Sequence, residues 1–201
     1  MKTIGITGSS GSGKTTLSKI LNERDDVKVI DADKVVRELS VPGTEYLSSI
    51  KETFGQEVFL EDGNLNRKKL AQKIYNDNSS REKLNTLTFH YVVNEIIERI
   101  KNINDENIKF AIIDAPLLFE SNLDKCCDFV IALVADFELK VRRICKRDNI
   151  DEETAKSRLN IQNEDSYYTE KSDFVIQNSE NSDLKAEIDK IFEEIIRKDR
   201  K

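Results

Sequence analysis

A glycine-rich segment near the start of the chain has the composition and spacing of a phosphate-binding loop. Residues 8–15, Gly-Ser-Ser-Gly-Ser-Gly-Lys-Thr, fit the pattern G-x-x-x-x-G-K-[ST] at every fixed position. An apolar, β-prone run precedes the segment, and Leu17, Ile20 and Leu21 follow it at helical spacing. Where a strand is followed by a glycine turn and then a helix, the backbone N–H groups of the turn and of the helix N-terminus converge on one anion. The pattern therefore favours a nucleoside triphosphate site over a Gly/Ser-rich surface turn.

Residue types within this segment predict individual roles. We expect Lys14 to reach the β- and γ-phosphates of ATP and the Thr15 hydroxyl to bind Mg²⁺. The other residues expected to hold the nucleotide phosphates are Gly11, Ser12, Gly13 and Thr16. The loop after the last predicted strand could hold the adenine, whose edge is read by the Asn178 amide or by a neighbouring backbone group.

Two aspartates close the second apolar run, which covers residues 27–31. Phosphoryl transfer to a hydroxyl needs a carboxylate near that hydroxyl and cations that hold the acceptor in line. If a helix begins at Asp33, Arg37 lies one turn further along the same face. An N-cap aspartate with a solvated ion pair is the alternative. We hypothesise that Asp33 is the catalytic base and that Arg37 is a substrate clamp.

A third carboxylate closes an apolar run at residues 109–114. Asp114 at the end of a strand beside a phosphate loop is the Walker B arrangement, which orients Mg²⁺ or its water shell. Capping of the turn before Pro116 is a second role for the same side chain, and the two are compatible. The apolar residues just past the strand predict a wall of the acceptor site: Leu117, Leu118 and Phe119.

The charged segment 136–170 is helix-prone and is predicted to be a lid. Arg143 and Arg147 share one helix face, and Arg158 and Gln162 share another. Arginine binds phosphate oxygens in a bidentate manner and keeps its charge. A basic run of this kind is more often a solvated face, but in a closing element at least one arginine is expected to neutralise the transferring charge. Arg143 is the candidate for that catalytic role, and Arg147 for nucleotide binding.

Composition excludes several classes of function. The net charge of −6 argues against general affinity for nucleic acid. No apolar run approaches the length of a membrane span, and we expect no signal peptide, because the first strand runs straight into the glycine loop. Three cysteines without CxxC spacing indicate reduced, partly buried thiols in a cytoplasmic protein. His90 is the only histidine, which excludes a zinc cluster or a serine–histidine triad.

Five apolar runs alternate with helical patterns, which predicts parallel strands joined by right-handed crossovers. The runs are 3–7, 27–31, 109–114, 128–134 and 172–177. We predict one domain with three parts: a core (about 1–34, 108–135 and 171–201), a helical insertion (about 35–107) and a lid (about 136–170). The insertion contains a helix near 81–101. An amphipathic helix from Asp183 to the end should close the core.

These segments together resemble the dephospho-coenzyme A kinase family over nearly the whole chain. The similarity includes the phosphate loop, Asp31-Ala32-Asp33 with Arg37, and the run Asp114-x-Pro116-Leu117-Leu118-Phe119-Glu120. It continues through the paired lid residues and ends in Asp173-Phe174-Val175-Ile176-x-Asn178. The chain departs from the family in two places: Phe89-His90 stands where a His-Pro pair is usual, and Lys140 replaces a common glutamine.

The resemblance implies an α/β, three-layer P-loop kinase fold with a five-stranded parallel sheet, a helical coenzyme A-binding insertion and a lid. It also implies ATP-dependent phosphorylation of the ribose 3′-hydroxyl of dephospho-coenzyme A, with Asp33 as the catalytic carboxylate. The partners expected are ATP, Mg²⁺ and this small-molecule substrate, with no nucleic acid and no membrane. The chain is expected to be a monomer or a weak homo-oligomer.

Two other classes of function remain open at this point. A nucleoside or nucleoside-monophosphate kinase shares the core and the lid but differs at the acceptor site. A nucleotide-dependent switch or assembly factor is the non-enzymatic alternative. Neither the Asn-Lys-x-Asp motif of GTPases nor a Leu-Ser-Gly-Gly-Gln-type transporter signature occurs in the sequence.

Overall fold

The computed structural model describes residues 1–75 and 77–199, which fall into two compact units. The sheet unit comprises Met1–Val29 and Asp105–Lys201, and the helical unit comprises Ile30–Asn104. The parts of the predicted insertion and terminal helix at residues 76, 200 and 201 lie outside the described residues.

A five-stranded parallel sheet is the main feature of the fold, in the order β2-β3-β1-β4-β5. The strands β1 to β5 are, in chain order, Lys2–Thr7, Val27–Asp31, Phe110–Asp114, Phe129–Val134 and Phe174–Gln177. Each begins and ends within two residues of a run predicted from the sequence, which confirms all five. In this order β1, which leads into the phosphate loop, lies between β3 and β4.

The two faces of β1 pack against different parts of the sheet unit. Ile4 and Ile6 share a core with residues of the first and last helices of the chain, α1 (Lys14–Asn22) and α9 (Leu184–Asp199). From α9 this core takes Leu184, Ile188, Ile191, Phe192 and Ile195, which confirms the predicted terminal helix. On the other face a Cβ at Gly5 would lie 2.7 Å from Leu118. Both faces of the sheet are therefore covered, as in the three-layer α/β fold that the resemblance implies.

Two aspartates fix the register of the sheet where strands begin. Asp128 and Asp173 open the same four-residue sequence, Asp-Phe-Val-Ile. The Asp128 carboxylate accepts a hydrogen bond from the Thr3 N–H at 2.7 Å, and the Asp173 carboxylate accepts one from the Val130 N–H at 2.8 Å. Each side chain thus satisfies a backbone donor of the neighbouring strand that the ladder leaves without a partner.

Asp173→Ala is expected to lower the free energy of unfolding by about 1–2 kcal/mol, because the Val130 N–H loses a charged acceptor. Urea denaturation measures the change. The control is Glu194→Ala, which removes an exposed ion pair with Lys198 on α9 and should cost less than about 0.5 kcal/mol. Equal losses for the two variants would contradict a role for Asp173 in strand registration.

The described residues of the helical unit form four α-helices: α2 (Ala32–Leu39), α3 (Glu45–Phe54), α4 (Arg67–Tyr75) and α5 (Asn78–Lys101). A core of its own joins them, formed by Tyr46, Leu47, Ile50, Phe54, Val58 and Leu70. Leu84, Leu87 and Tyr91 of α5 pack against this core, which confirms the helix predicted near 81–101. That helix begins at Asn78 because the Asp77 carboxylate accepts the Ser79 N–H.

Segment 136–170 of the sheet unit forms three helices: α6 (Phe137–Asp148), α7 (Glu152–Asn160) and α8 (Asp165–Thr169). Val141 and Ile144 of α6 share a small core with Ala155 and Leu159 of α7. Among the described residues, no helix has both the length and the apolar character that a membrane span requires.

The three cysteines are free and half-buried. Burial raises the pKa of the Cys127 thiol to about 12, so this thiol is protonated and unreactive at neutral pH. The partial burial of the three thiols agrees with the prediction from the sequence. Within the described ranges, no cluster of three or more histidine, cysteine and acidic side chains is arranged to hold a metal ion.

Candidate active site

The phosphate loop lies directly against α6 and the loop that follows β5, and two of its glycines make this approach possible. Gly11 and Gly13 have φ values of +78° and +110°, which favour glycine. A Cβ at Gly11 would lie 2.8 Å from the Lys140 carbonyl oxygen, and one at Gly13 would lie 2.1 Å from the Asn178 amide nitrogen. The close packing of the loop therefore requires glycine at both positions, of which Gly13 is fixed in the motif and Gly11 is variable.

Gly13→Ala is expected to raise the KM for ATP at least tenfold, because the new methyl group meets Asn178 and must displace the loop. Gly43→Ala is the matched control: Gly43 has a φ of +93°, but nothing lies within 4 Å of its added Cβ. It should cost about 1–2 kcal/mol of stability through backbone strain and leave the KM for ATP unchanged. ATP titrations and melting curves of both variants separate the steric effect from the strain.

The side chains of the loop are placed around the amino terminus of α1. Thr15 and Thr16 are exposed there, whereas Ser12 is completely buried. The ammonium group of Lys14 donates to the Ser9 carbonyl oxygen at 3.1 Å and to that of Gly8. An exposed helix N-terminus preceded by a glycine turn offers N–H donors and a positive dipole end to a phosphate group.

Arg143 and Asn178 hold the outer side of this loop. The Asn178 amide donates to the Ser12 carbonyl oxygen at 2.7 Å, and the Arg143 guanidinium donates to those of Gly11 and Ser12 at 3.1 and 3.4 Å. In a trans peptide group the N–H points opposite to the C=O. The Gly13 N–H is therefore directed away from Arg143 and Asn178, toward the side where an anion can bind.

Asp114 is positioned by the end of β3. Its Cα pairs with Ile6 of β1, two residues before the phosphate loop, and its carboxylate accepts a hydrogen bond from the Ser18 hydroxyl of α1. The following residue, Ala115, donates its N–H to the Ile6 carbonyl oxygen at 3.1 Å, which fixes the turn. Carboxylate and hydroxyl oxygens are the ligands that Mg²⁺ prefers, so Asp114 and Thr15 fit this ion chemically.

The three apolar residues after β3 have different environments. Leu117 is 51% exposed, and Leu118 is completely buried against Gly5 of the sheet. Phe119 packs edge-to-face on Tyr167 at 5.8 Å between ring centroids. The turn at Pro116 directs successive side chains to opposite sides, so Leu118 belongs to the core while Leu117 remains open to a ligand.

Arg147 and Arg158 share one carboxylate in the lid segment. Arg147 donates to Asp148 at 2.7 and 2.9 Å, and Arg158 donates to the same carboxylate at 2.9 Å. The hydrogen bond from Arg147 lowers the pKa of Asp148, aided by the charge of Arg158. The pKa of Arg147 is raised by the same hydrogen bond. Both guanidinium groups are thus gathered at the end of α6.

The prediction that Arg158 and Gln162 share a helix face is wrong. Helix α7 ends at Asn160, and Ile161 is its C-cap, so Gln162 lies beyond the helix. Gln162 instead binds the phosphate loop: its side-chain oxygen accepts the Ser10 N–H at 2.9 Å, and its amide donates to the Ser10 hydroxyl at 2.9 Å.

Sequence reasoning missed two further residues that contact the loop, Lys140 and Asp165. The Lys140 ammonium donates to both Asp165 oxygens at 2.8 and 3.0 Å and to the Ser9 hydroxyl at 3.3 Å. The available signal was a lysine on the apolar face of α6, next to Val141 and one turn before Ile144. A charged residue in that position is seldom buried without a partner.

In the helical unit, Asp33 and Arg37 lie in α2, which begins one residue earlier than the sequence suggested. The N-cap is Asp31, whose carboxylate accepts the Lys34 N–H at 2.9 Å, so an aspartate does cap this helix, but it is not Asp33. Asp33 is exposed in the first turn, and Arg37 donates to its carbonyl oxygen at 3.1 Å. The Asp33 carboxylate is therefore accessible to a ligand.

Comparison with known proteins places this geometry in a family. The family model described as Dephospho-CoA kinase matches residues 2–183. The dephospho-CoA kinase of Listeria monocytogenes is 38% identical over 179 residues, which cover 89% of each chain. A solved structure of dephospho-CoA kinase from Campylobacter jejuni is 28% identical, with a TM-score of 0.68 and 98% of each chain covered.

Likeness at the level of the fold extends further. Shikimate kinase from Acinetobacter baumannii, solved with shikimate, matches with a TM-score of 0.56 at 18% identity, covering 100% of this chain and 96% of that one. This similarity concerns the P-loop kinase fold alone. The extent of the family match and the identity to curated relatives show that the chain belongs to the dephospho-CoA kinase family.

Proposed function

We propose that the chain transfers the γ-phosphoryl group of ATP to the ribose 3′-hydroxyl of dephospho-coenzyme A, giving coenzyme A and ADP. As a member of its family the chain is a kinase, and its reaction is the last step of coenzyme A biosynthesis. The observation that carries the proposal is the phosphate loop, held on its outer side by Arg143 and Asn178 and open at the N-terminus of α1.

Binding of ATP begins at this loop. The N–H groups at the start of α1 hold the phosphates, and Lys14 moves from the carbonyl oxygens of Gly8 and Ser9 to the β- and γ-phosphates. Thr15 and Asp114 would hold Mg²⁺, directly or through water, and the bound ion supplies positive charge to the phosphate oxygens. The loop backbone supports the γ-phosphoryl group without taking part in a covalent bond.

The acceptor is activated from the helical unit. The exposed Asp33 carboxylate accepts or orients the proton of the 3′-hydroxyl, which raises the nucleophilicity of that oxygen. Arg37, one turn along α2, clamps the anionic part of dephospho-coenzyme A. Leu117 and Phe119 supply the apolar wall of the acceptor site, while Leu118 supports them from the core.

The lid segment completes the charge balance around the transferring group. For this role Arg143 leaves the carbonyl oxygens of Gly11 and Ser12, and Arg147 leaves Asp148 to bind the nucleotide. The Asn178 amide nitrogen is engaged by the loop, so we assign reading of the adenine to its oxygen or to the backbone that follows. The helical unit then serves as the coenzyme A-binding part, and residues 136–170 serve as the lid. Reduced thiols are typical of the cytoplasm, which favours a cytoplasmic location for the enzyme.

A panel of acceptors tests this function. A coupled assay of ADP formation offers dephospho-coenzyme A, AMP, UMP, uridine and shikimate to the purified chain. We expect kcat/KM to be highest for dephospho-coenzyme A by several orders of magnitude. Faster turnover of a nucleotide or nucleoside would support a nucleoside or nucleoside-monophosphate kinase, and ATP binding without transfer to any acceptor would support a switch.

A further inference from the structure

Lys140 contacts the phosphate loop at two separate points. Its backbone forms the surface on which Gly11 rests, and its side chain reaches back to Ser9. Only 8% of the side chain is exposed, although the residue carries a formal charge. Burial of an ammonium group costs free energy unless the group is ion-paired and hydrogen-bonded. The residues that contact Lys140 therefore have to supply its ion pair and its hydrogen bonds.

The partners of Lys140 form a closed triangle. The ammonium group donates to Asp165 and to the Ser9 hydroxyl, and the Ser9 hydroxyl donates in turn to Asp165 at 3.2 Å. One hydroxyl, one carboxylate and one ammonium group therefore satisfy one another. The triangle connects three elements: the loop, α6 and α8. The Gln162 side chain adds a second connection at the adjacent residue, Ser10.

Ser9 links this triangle to the predicted catalytic lysine. Its side chain is held by Lys140 and Asp165, while its carbonyl oxygen accepts a hydrogen bond from the Lys14 ammonium group at 3.1 Å. The position of the Ser9 peptide group thus depends on the triangle, and before ATP binds that peptide group also holds the Lys14 ammonium group. Ser9 itself occupies a position that the phosphate-loop pattern leaves variable.

We propose that Lys140 is a positioning residue for phosphoryl transfer: together with Asp165 it fixes Ser9, and through Ser9 it fixes the loop that presents Lys14 to the phosphates. This inference rests on the function proposed above and deepens it. Lys140 acts through Ser9 and Lys14, not by contact with the substrate. A displacement of a catalytic group by about 1 Å can lower a rate by roughly 100-fold, so a small loss of order in the loop is enough to be measured.

The test compares Lys140→Met and Ser9→Ala with their double variant. Each single change is expected to lower kcat by roughly 10–100-fold and to leave the KM for dephospho-coenzyme A unchanged. The double variant should be no slower than the slower single variant, because both residues act in one chain of contacts. A second double variant, Lys140→Gln with Asp165→Asn, replaces the ion pair by two neutral side chains that can still hydrogen-bond to Ser9. Its kcat should be close to that of the parent chain.

Lys156→Met is the matched control, because Lys156 makes an ion pair at the surface with Glu152 of the same helix, α7. Its kcat should equal that of the parent chain. Melting curves are recorded for every variant, and kinetics are compared only at temperatures where each is folded. A folded Lys140→Met protein with the parental kcat would overturn the proposal, as would strictly multiplicative losses in the double variant.

Failure of the proposed function can be distinguished from failure of the positioning role of Lys140. If the parent chain does not phosphorylate dephospho-coenzyme A, the function fails, but the role of Lys140 is still tested by calorimetric titration with ATP. Because Lys14 binds the β- and γ-phosphates, Lys140→Met should then weaken ATP binding by at least about tenfold. Unchanged ATP affinity in that variant would contradict the positioning role.

Discussion

Asp33→Asn is expected to lower kcat for phosphorylation of dephospho-coenzyme A by roughly 10²–10⁴-fold, the range for loss of a general base. Asparagine keeps the size and polarity of the side chain but cannot accept the proton of the acceptor hydroxyl. The KM for ATP should change little, because Asp33 belongs to the acceptor side. Steady-state kinetics with ATP and dephospho-coenzyme A varied in turn measure both parameters.

Asp31→Asn is the control for this variant, being the same substitution two residues earlier. Asp31 caps α2 by accepting the Lys34 N–H, and asparagine is an equally good N-cap. We therefore expect nearly parental activity and stability from this variant. If Asp33→Asn retains full turnover, the 3′-hydroxyl needs no side-chain base at this position, and the mechanism proposed here is wrong.

Lys14→Met should lower kcat by roughly 10²–10³-fold, the range for loss of one preorganised electrostatic contact in the transition state. The KM for ATP should rise as well, because the ammonium group contacts the phosphates before transfer. The variant keeps the length of the side chain and removes its charge. Initial rates at saturating dephospho-coenzyme A, together with calorimetric ATP binding, separate the two effects.

Lys19→Met tests whether charge on α1 alone explains such a loss. Lys19 lies in the last turn of the same helix and is exposed. Because charges at the surface are screened by solvent and salt, its removal should leave kcat within about twofold of the parent. Similar losses for Lys14→Met and Lys19→Met would mean that the loop lysine has no specific contact with the nucleotide.

The sheet could be predicted from the sequence because buried parallel strands are short, continuous apolar runs. Phe110–Asp114 and Phe129–Val134 are of this kind, and the terminal helix shows its apolar face at regular spacing. The small helices α3 and α4 of the helical unit were harder to predict. Each has only two or three turns, so its pattern is weak, and their shared core with α5 is a tertiary property.

Within the candidate site, the motif itself predicted the loop, since each fixed glycine meets a specific conformational or steric demand. The partners of the loop could not be predicted in the same way. Lys140 and Ser9 are 131 residues apart, and nothing local in the sequence indicates that their side chains meet. The four-residue spacing of Arg158 and Gln162 predicts a shared helix face, whereas helix α7 ends at Asn160 and Ile161 is its C-cap.

Analysis of the reaction product is the most direct test of the central claim. The purified chain is incubated with ATP, Mg²⁺ and dephospho-coenzyme A, and the product is examined by ³¹P NMR spectroscopy and mass spectrometry. We expect the mass of coenzyme A and one new phosphomonoester resonance coupled to the ribose 3′-proton, in equal amount to the ADP formed. A phosphate at another position, or ADP released without a phosphorylated acceptor, would contradict the account.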